Sequence, residues 1–138
     1  MEGERIGHDP AASFRCARCG EIAGVVRAVR KGDDIDMGPP LGRAASERDA
    51  IVVDYFLGTH AMYADTETID AVEAIVSSDA PDPAALWRAN WEIAPFWCPD
   101  CRTCYCAADW HAFPLFDDGF YDCTIGICPN SHRHTIDD

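Results

Sequence analysis

Residues 97–134 read WCPDCRTCYCAADWHAFPLFDDGFYDCTIGICPNSHRH, and the rest of the chain is read outward from them. The stretch holds six of the eight cysteines and three of the five histidines. The other two cysteines, Cys16 and Cys19, sit in the run FRCARCG near the N-terminus. Two intervening residues let a pair of sulfurs in one turn face one ion, and Gly20 after Cys19 can take the positive φ that such a turn needs. Four pairs can be read: Cys16/Cys19, Cys98/Cys101, a pair anchored at Cys106, and Cys128/His132. Zinc takes four tetrahedral nitrogen or sulfur ligands, so four pairs imply two zinc ions. Cys106 has no CxxC or CxxH partner. His111 offers an orthodox ligand, Cys104 would make an all-thiolate site, and Asp109 has the right spacing with a harder donor; His111 is favoured. The expected ligands are Cys16, Cys19, Cys98, Cys101, Cys106, His111, Cys128 and His132. Cys104 and Cys123 read equally as small buried hydrophobes.

The order and gaps of these pairs resemble the cross-brace zinc fingers, the RING, PHD and FYVE group built on the treble-clef fold. Four residues separate Cys101 from Cys106, and 21 lie between Cys106 and Cys128. The resemblance implies that the first and third pairs share one ion and the second and fourth the other. It also implies an α/β insertion, because 78 residues lie between Cys19 and Cys98. A rival, ribbon-like pairing joins Cys16/Cys19 to Cys98/Cys101, leaving Cys106, Cys128, His132 and one of His111, Cys123 or His134 for the second ion. The cross-brace pairing is preferred. Cys106 follows too closely on the Cys98/Cys101 turn to serve its ion easily, while the hairpin after it returns the chain to that ion.

At 138 residues and 48% hydrophobic the chain is long and apolar enough for one folded domain with a real core. Residues 1–12 read as a mobile acidic tail and 13–138 as a single zinc-binding domain. No apolar run approaches the ~20 residues that span a bilayer, and MEGERIGHDP lacks the apolar segment of a secretory signal. A cytoplasmic protein without membrane contact is expected, with its thiols reduced and free to bind metal. The net charge of −13 argues against nucleic acid. One segment runs the other way: Arg15, Arg18, Arg27, Arg30 and Lys31 face Glu21 alone, a local +4, read as compensation for nearby thiolates.

Short strands are expected at 13–15, 22–29 and 60–64, and AIVVDYFL at 50–57 reads as a central buried strand. Gly and Pro make 31–49 a long loop, whose MGPPLG run reads as a surface excursion or, less simply, a partner-docking segment. Ile69, Val72, Ile75 and Val76 fall on one face of a helix at 66–77. Asp82-Pro83 starts a second helix at 83–91, whose Trp87 and Trp91 share one face that reads as core able to shield the cysteine cluster, with the lining of a ligand pocket as the alternative. Strands at 112–116 and 120–127 meet at an Asp-Gly hairpin turn. The expected fold is α+β: a small antiparallel sheet, two helices and a zinc-bound C-terminal cluster of treble-clef or ribbon type.

WCPDC looks like a thioredoxin-type WCxxC, but the cysteines that follow it leave no room for the required long helix. HxE, HExxH, P-loop and GxSxG signatures are absent. Asp117, Asp118 and Asp122 are hairpin and edge acids before they are acid–base groups. The expected function is a zinc-stabilised protein-interaction module with an acidic surface and a protein partner. Alternatives are a zinc-dependent enzyme, either a ubiquitin-ligase-like cross-brace factor or a hydrolase with one open zinc, and a nucleic-acid binder using residues 15–31.

Overall fold

The computed structural model describes residues 10–36, 39–40 and 42–138. The chain runs through β1 (Ala11–Arg15) and β2 (Ile22–Val29), a small hairpin of β3 (Asp34–Asp36) and β4 (Arg43–Ala45), then β5 (Ala50–Tyr55) and β6 (Gly58–Tyr63). Helices α1 (Thr66–Val76) and α2 (Pro83–Ala89) follow, then a 3-10 turn at Trp91–Ile93. The C-terminal part holds a two-residue ladder of β7 (Trp97–Cys98) and β8 (Thr103–Cys104), then β9 (His111–Asp117), β10 (Phe120–Ile127) and β11 (Arg133–Asp137). The fold is mixed α+β, mostly strand, with two helices and several small antiparallel sheets.

The larger sheet has the order β1-β2-β5-β6, and every neighbouring pair is antiparallel. β5 is internal because Ala50–Val53 are apolar on both faces and buried. Helix α1 lays Ile69, Val72 and Val76 against this sheet, as their helical spacing requires. Asp65 caps it by accepting from the Thr68 amide at 2.8 Å. Asp82 caps α2 in the same way through Ala84. Helix α2 stops at Ala89, short of the expected 91, because Asn90 turns extended and its side chain caps the 3-10 turn through the Glu92 amide at 3.0 Å. Gly24 is a packing requirement in β2: a Cβ there would run into the ring of Phe96, which itself stacks on Phe14 at 5.6 Å.

Three expectations need adjustment. The 31–49 segment is not all loop, since β3 and β4 pair within it. Strand β1 starts at Ala11, inside the expected tail, while residues 1–9 of that tail lie outside the described residues. Within MGPPLG, Met37, Gly38 and Leu41 also lie outside them. The smaller sheet, β11-β10-β9, has a strand beyond the two expected in this region: β11 pairs with β10. The β9–β10 hairpin forms as expected. Asp117 pairs with Phe120, and the two loop residues Asp118 and Gly119 both have positive φ, 52° and 83°, which is the type I′ arrangement. Among the described residues no helix is long and apolar enough to cross a membrane.

The two sheets are tied together at the cysteine cluster. The Trp110 indole donates to the Phe96 carbonyl at 3.1 Å, and the Tyr55 hydroxyl to the Ile136 carbonyl at 3.4 Å. The Ala17 amide donates to the Cys104 carbonyl at 3.0 Å, which pins the N-terminal knuckle to the C-terminal part.

Candidate metal centres

Each cysteine pair sits on a tight turn closed by the backbone. Cys16 and Cys19 follow β1, where the Gly20 amide donates to the Cys16 carbonyl at 3.0 Å and Gly20 takes φ 79°. Cys98 and Cys101 occupy the β7–β8 turn, closed by Arg102 N–H to Cys98 O at 2.7 Å. At Cys106 the amides of Asp109 and Trp110 both donate to its carbonyl at 3.0 Å. Cys128 and His132 flank the turn between β10 and β11, closed by Cys128 N–H to His132 O at 2.9 Å.

These turns converge in two groups. Cys98, Cys101, Cys128 and His132 form one, and Cys16, Cys19, Cys106 and Asp109 the other, with the ligand atoms of each within 4.8 Å of one another. In the first, the Cys101 and Cys128 sulfurs are 3.7 Å apart, and His132 Nδ1 lies 3.8, 3.3 and 3.3 Å from the sulfurs of Cys98, Cys101 and Cys128. A zinc tetrahedron with Zn–S of about 2.3 Å has edges of about 3.5–3.8 Å, so the donors already stand near their coordinating positions. In the second group the Cys19 and Cys106 sulfurs are 3.4 Å apart, and Asp109 Oδ2 lies 3.0 Å from Cys16 Sγ and 3.6 Å from Cys106 Sγ. Both groups can hold a metal ion.

Backbone amides aim at the sulfurs. Arg18 N–H reaches Cys16 Sγ at 3.4 Å, Cys101 N–H reaches Cys98 Sγ at 3.4 Å, and the amides of Asn130 and His132 both reach Cys128 Sγ at 3.3 Å. The Asn130 side chain adds a bond to Cys101 Sγ at 3.1 Å. Donors pointed at sulfur stabilise a thiolate, the form that binds metal.

The family model for a domain of unknown function (DUF8328) matches residues 4–138. This chain belongs to that family. No curated protein and no solved structure matches it.

Seven of the eight expected ligands of this DUF8328 chain fall into the two groups; His111 does not. The residue brought beside Cys106 is Asp109, because the turn that begins at Cys106 returns the third residue, whatever its donor type. His111 lies beyond that turn as the first residue of β9, exposed, with its ring beside Phe113. Arg18 Nε stands 3.6 Å from the other Asp109 oxygen and offsets its charge. The pairs are brought together alternately along the chain, first with third and second with fourth, and not in the ribbon-like grouping. Cys104 is a buried member of the main core, and Cys123 lies on β10 beside Asp122; neither joins a group.

In the metal-free protein the thiols differ in acidity. Burial pushes Cys98 up to about 12, with the neighbouring Cys128 adding to it. Burial also raises Cys106, to about 11, helped by its contact with Cys19. At Cys101 burial opposes ionisation, but hydrogen bonds from Asn130, Tyr105, Cys128 and His132 outweigh it and bring the thiol down to about 6. The backbone hydrogen bond at Glu21, then the contact with Cys106, lower Cys19.

Proposed function

We propose that this chain is a zinc-stabilised protein-interaction module with two structural zinc ions and an acidic surface. The observation that carries the reading is the position of the two groups at the base of the β9–β10 hairpin, where His111 pairs with Ile127. Cys106 and Asp109 precede β9, and Cys128 follows β10, so an ion at each group would clamp one strand of that base. At the far end of the hairpin Phe116 and Phe120 are 65% and 76% exposed, beside Asp117 and Asp118. Exposed aromatics on a rigid projection rimmed by charge are the composition of a contact surface.

Zinc is the ion that best suits three thiolates with one imidazole, and it tolerates a carboxylate as the fourth ligand. The alternating pairing supports the likeness to cross-brace, treble-clef fingers. Four protein ligands at each group leave no position for a water, which favours structural ions over a hydrolase. Against nucleic acid stands the fate of the basic segment. Arg27 pairs with Asp54 at 3.0 Å, Arg30 with Asp70 at 2.8 Å and with Glu73, and Arg18 with Asp109. These partners neutralise the guanidinium groups that a phosphate backbone would need.

Elemental analysis of protein purified without added metal is expected to give two zinc ions per chain, one for each group. Iron, or no metal with oxidised cysteines, would contradict it. For the interaction, the Phe116→Ser/Phe120→Ser double variant should keep both ions and its melting temperature but lose the protein that cross-links to the wild-type hairpin. Equal cross-linking by the variant would sink the hairpin as the contact.

A further inference from the structure

Cys98 belongs to a second constellation. Its sulfur lies 3.6 Å from Nε2 of His134, and the same nitrogen lies 2.9 Å from Oδ2 of Asp100. The three donor atoms lie within 4.8 Å of one another, and neither Asp100 nor His134 belongs to the Cys101/Cys128/His132 set. We propose that Cys98, Asp100 and His134 form an additional divalent-metal site, with the Cys98 sulfur bridging its ion to the one held by Cys101, Cys128 and His132. The inference rests on the reading that this latter group holds zinc.

The geometry suits an ion of zinc's size. A sulfur and an imidazole nitrogen on one tetrahedral zinc stand about 3.6 Å apart, and a nitrogen and an oxygen about 2.9 Å apart subtend about 90°, as in a five-coordinate site. His132 and His134 alternate along the chain, so one strand entry supplies a nitrogen to each ion. Electrostatics points the same way. Three thiolates around one divalent ion leave a charge of −1, and Asp100 makes it −2; a second divalent ion brings the cluster to zero. Three protein ligands leave at least one position for water or an exogenous donor, unlike the two four-ligand groups. His134 also lines a cavity of about 170 Å³ together with Trp87, Trp91, Pro95, Trp97 and Thr135.

The test is metal stoichiometry on the two-zinc protein, with cobalt(II) as the probe. Equilibrium dialysis against cobalt(II), followed by elemental analysis, should give two zinc ions and one cobalt ion per chain, with a sulfur-to-cobalt charge-transfer band from the Cys98 bridge. His134→Gln and Asp100→Asn should each retain two zinc ions and bind the added ion about 100-fold more weakly, the upper range for losing a supporting group at a metal site. A total that stays at two metals overturns the proposal, whether cobalt fails to bind or merely displaces zinc. So does a third ion whose affinity neither variant changes. Fewer than two zinc ions at the outset overturns the underlying reading, and the bridged site with it.

Discussion

Asp109 and His111 stand two residues apart, and only the first is brought to the Cys16 group. The turn at Cys106 fixes where the third residue goes, and that residue is an aspartate. The turn carries the hard oxygen to the group, and the strand carries the softer imidazole away from it. Asp109→Ala is therefore expected to weaken zinc at the Cys16 group by about 100-fold or more, since even indirect partners of metal sites are worth ~10–100-fold. His111→Ala should change neither zinc content nor affinity; titration against a chromophoric chelator reads both. Acidity gives a second prediction, for the group that contains Cys98 and Cys101. Under the zinc reading proposed above, the ion would have to displace the Cys98 proton at any pH below about 12, whereas the Cys101 proton would compete only below about 6. Protons compete with the ion, so affinity should fall as pH falls, and the fall should steepen below about 6 as Cys101 also protonates. A chelator competition series from about pH 5 to about pH 8 that shows no pH dependence would contradict this.

Among the strands and helices, Gly24 makes the sharpest test of packing. It lies inside β2, and the Phe96 ring occupies the space that a Cβ would need. Gly24→Ala should destabilise the fold by roughly 1–3 kcal/mol, the usual range for overpacking a core, with metal content unchanged. Thermal unfolding of the loaded protein measures it, and an unchanged or higher melting temperature would be the contrary result. What could be read of such elements from residues alone followed apolar pattern and turn chemistry. Strand β5 and helix α1 were legible because Ala50–Val53 form an unbroken apolar run and Ile69, Val72 and Val76 share a helical face. The hairpin was legible because Asp118-Gly119 dictates its turn. Strand β11 was not, because RHTID offers Ile136 as its one large apolar residue, and its partner is available only once β10 is in place. The β3–β4 hairpin was hidden for a related reason: DID and RAA are short, polar or small, and largely exposed. At the metal groups, spacing located the knuckles, but identifying Asp109 required the turn itself, because donor softness pointed to His111.

Taken together, the described residues form two buried centres of different chemistry. One is apolar and packs Val26, Ile51, Val53, Ile69, Val72, Leu86 and Phe96 between the four-stranded sheet and the helices. The other surrounds Cys16, Cys98, Cys106 and Cys128 with Tyr105, Trp110 and Ile136, and has few apolar side chains of its own. Zinc at a structural site is worth on the order of 10 kcal/mol, comparable to the whole stability of an ordinary domain. Removing the proposed ions should therefore be felt first in the second centre. In that centre the donor groups would lose the ion that holds them together, and the hairpin would lose both clamps. The first centre keeps its apolar contacts without metal. Hydrogen exchange in the presence of a strong chelator is expected to expose the amides of β9, β10 and β11 while those of β2 and β5 stay protected. Cys98→Ser and Cys128→Ser should reproduce that pattern with metal present, each losing the ion of its group. Cys123→Ser, outside both groups, should leave protection and zinc content unchanged. Simultaneous loss of protection in β5 and β10 would show that one cooperative unit spans both centres, with the apolar core depending on the ions as much as the hairpin does.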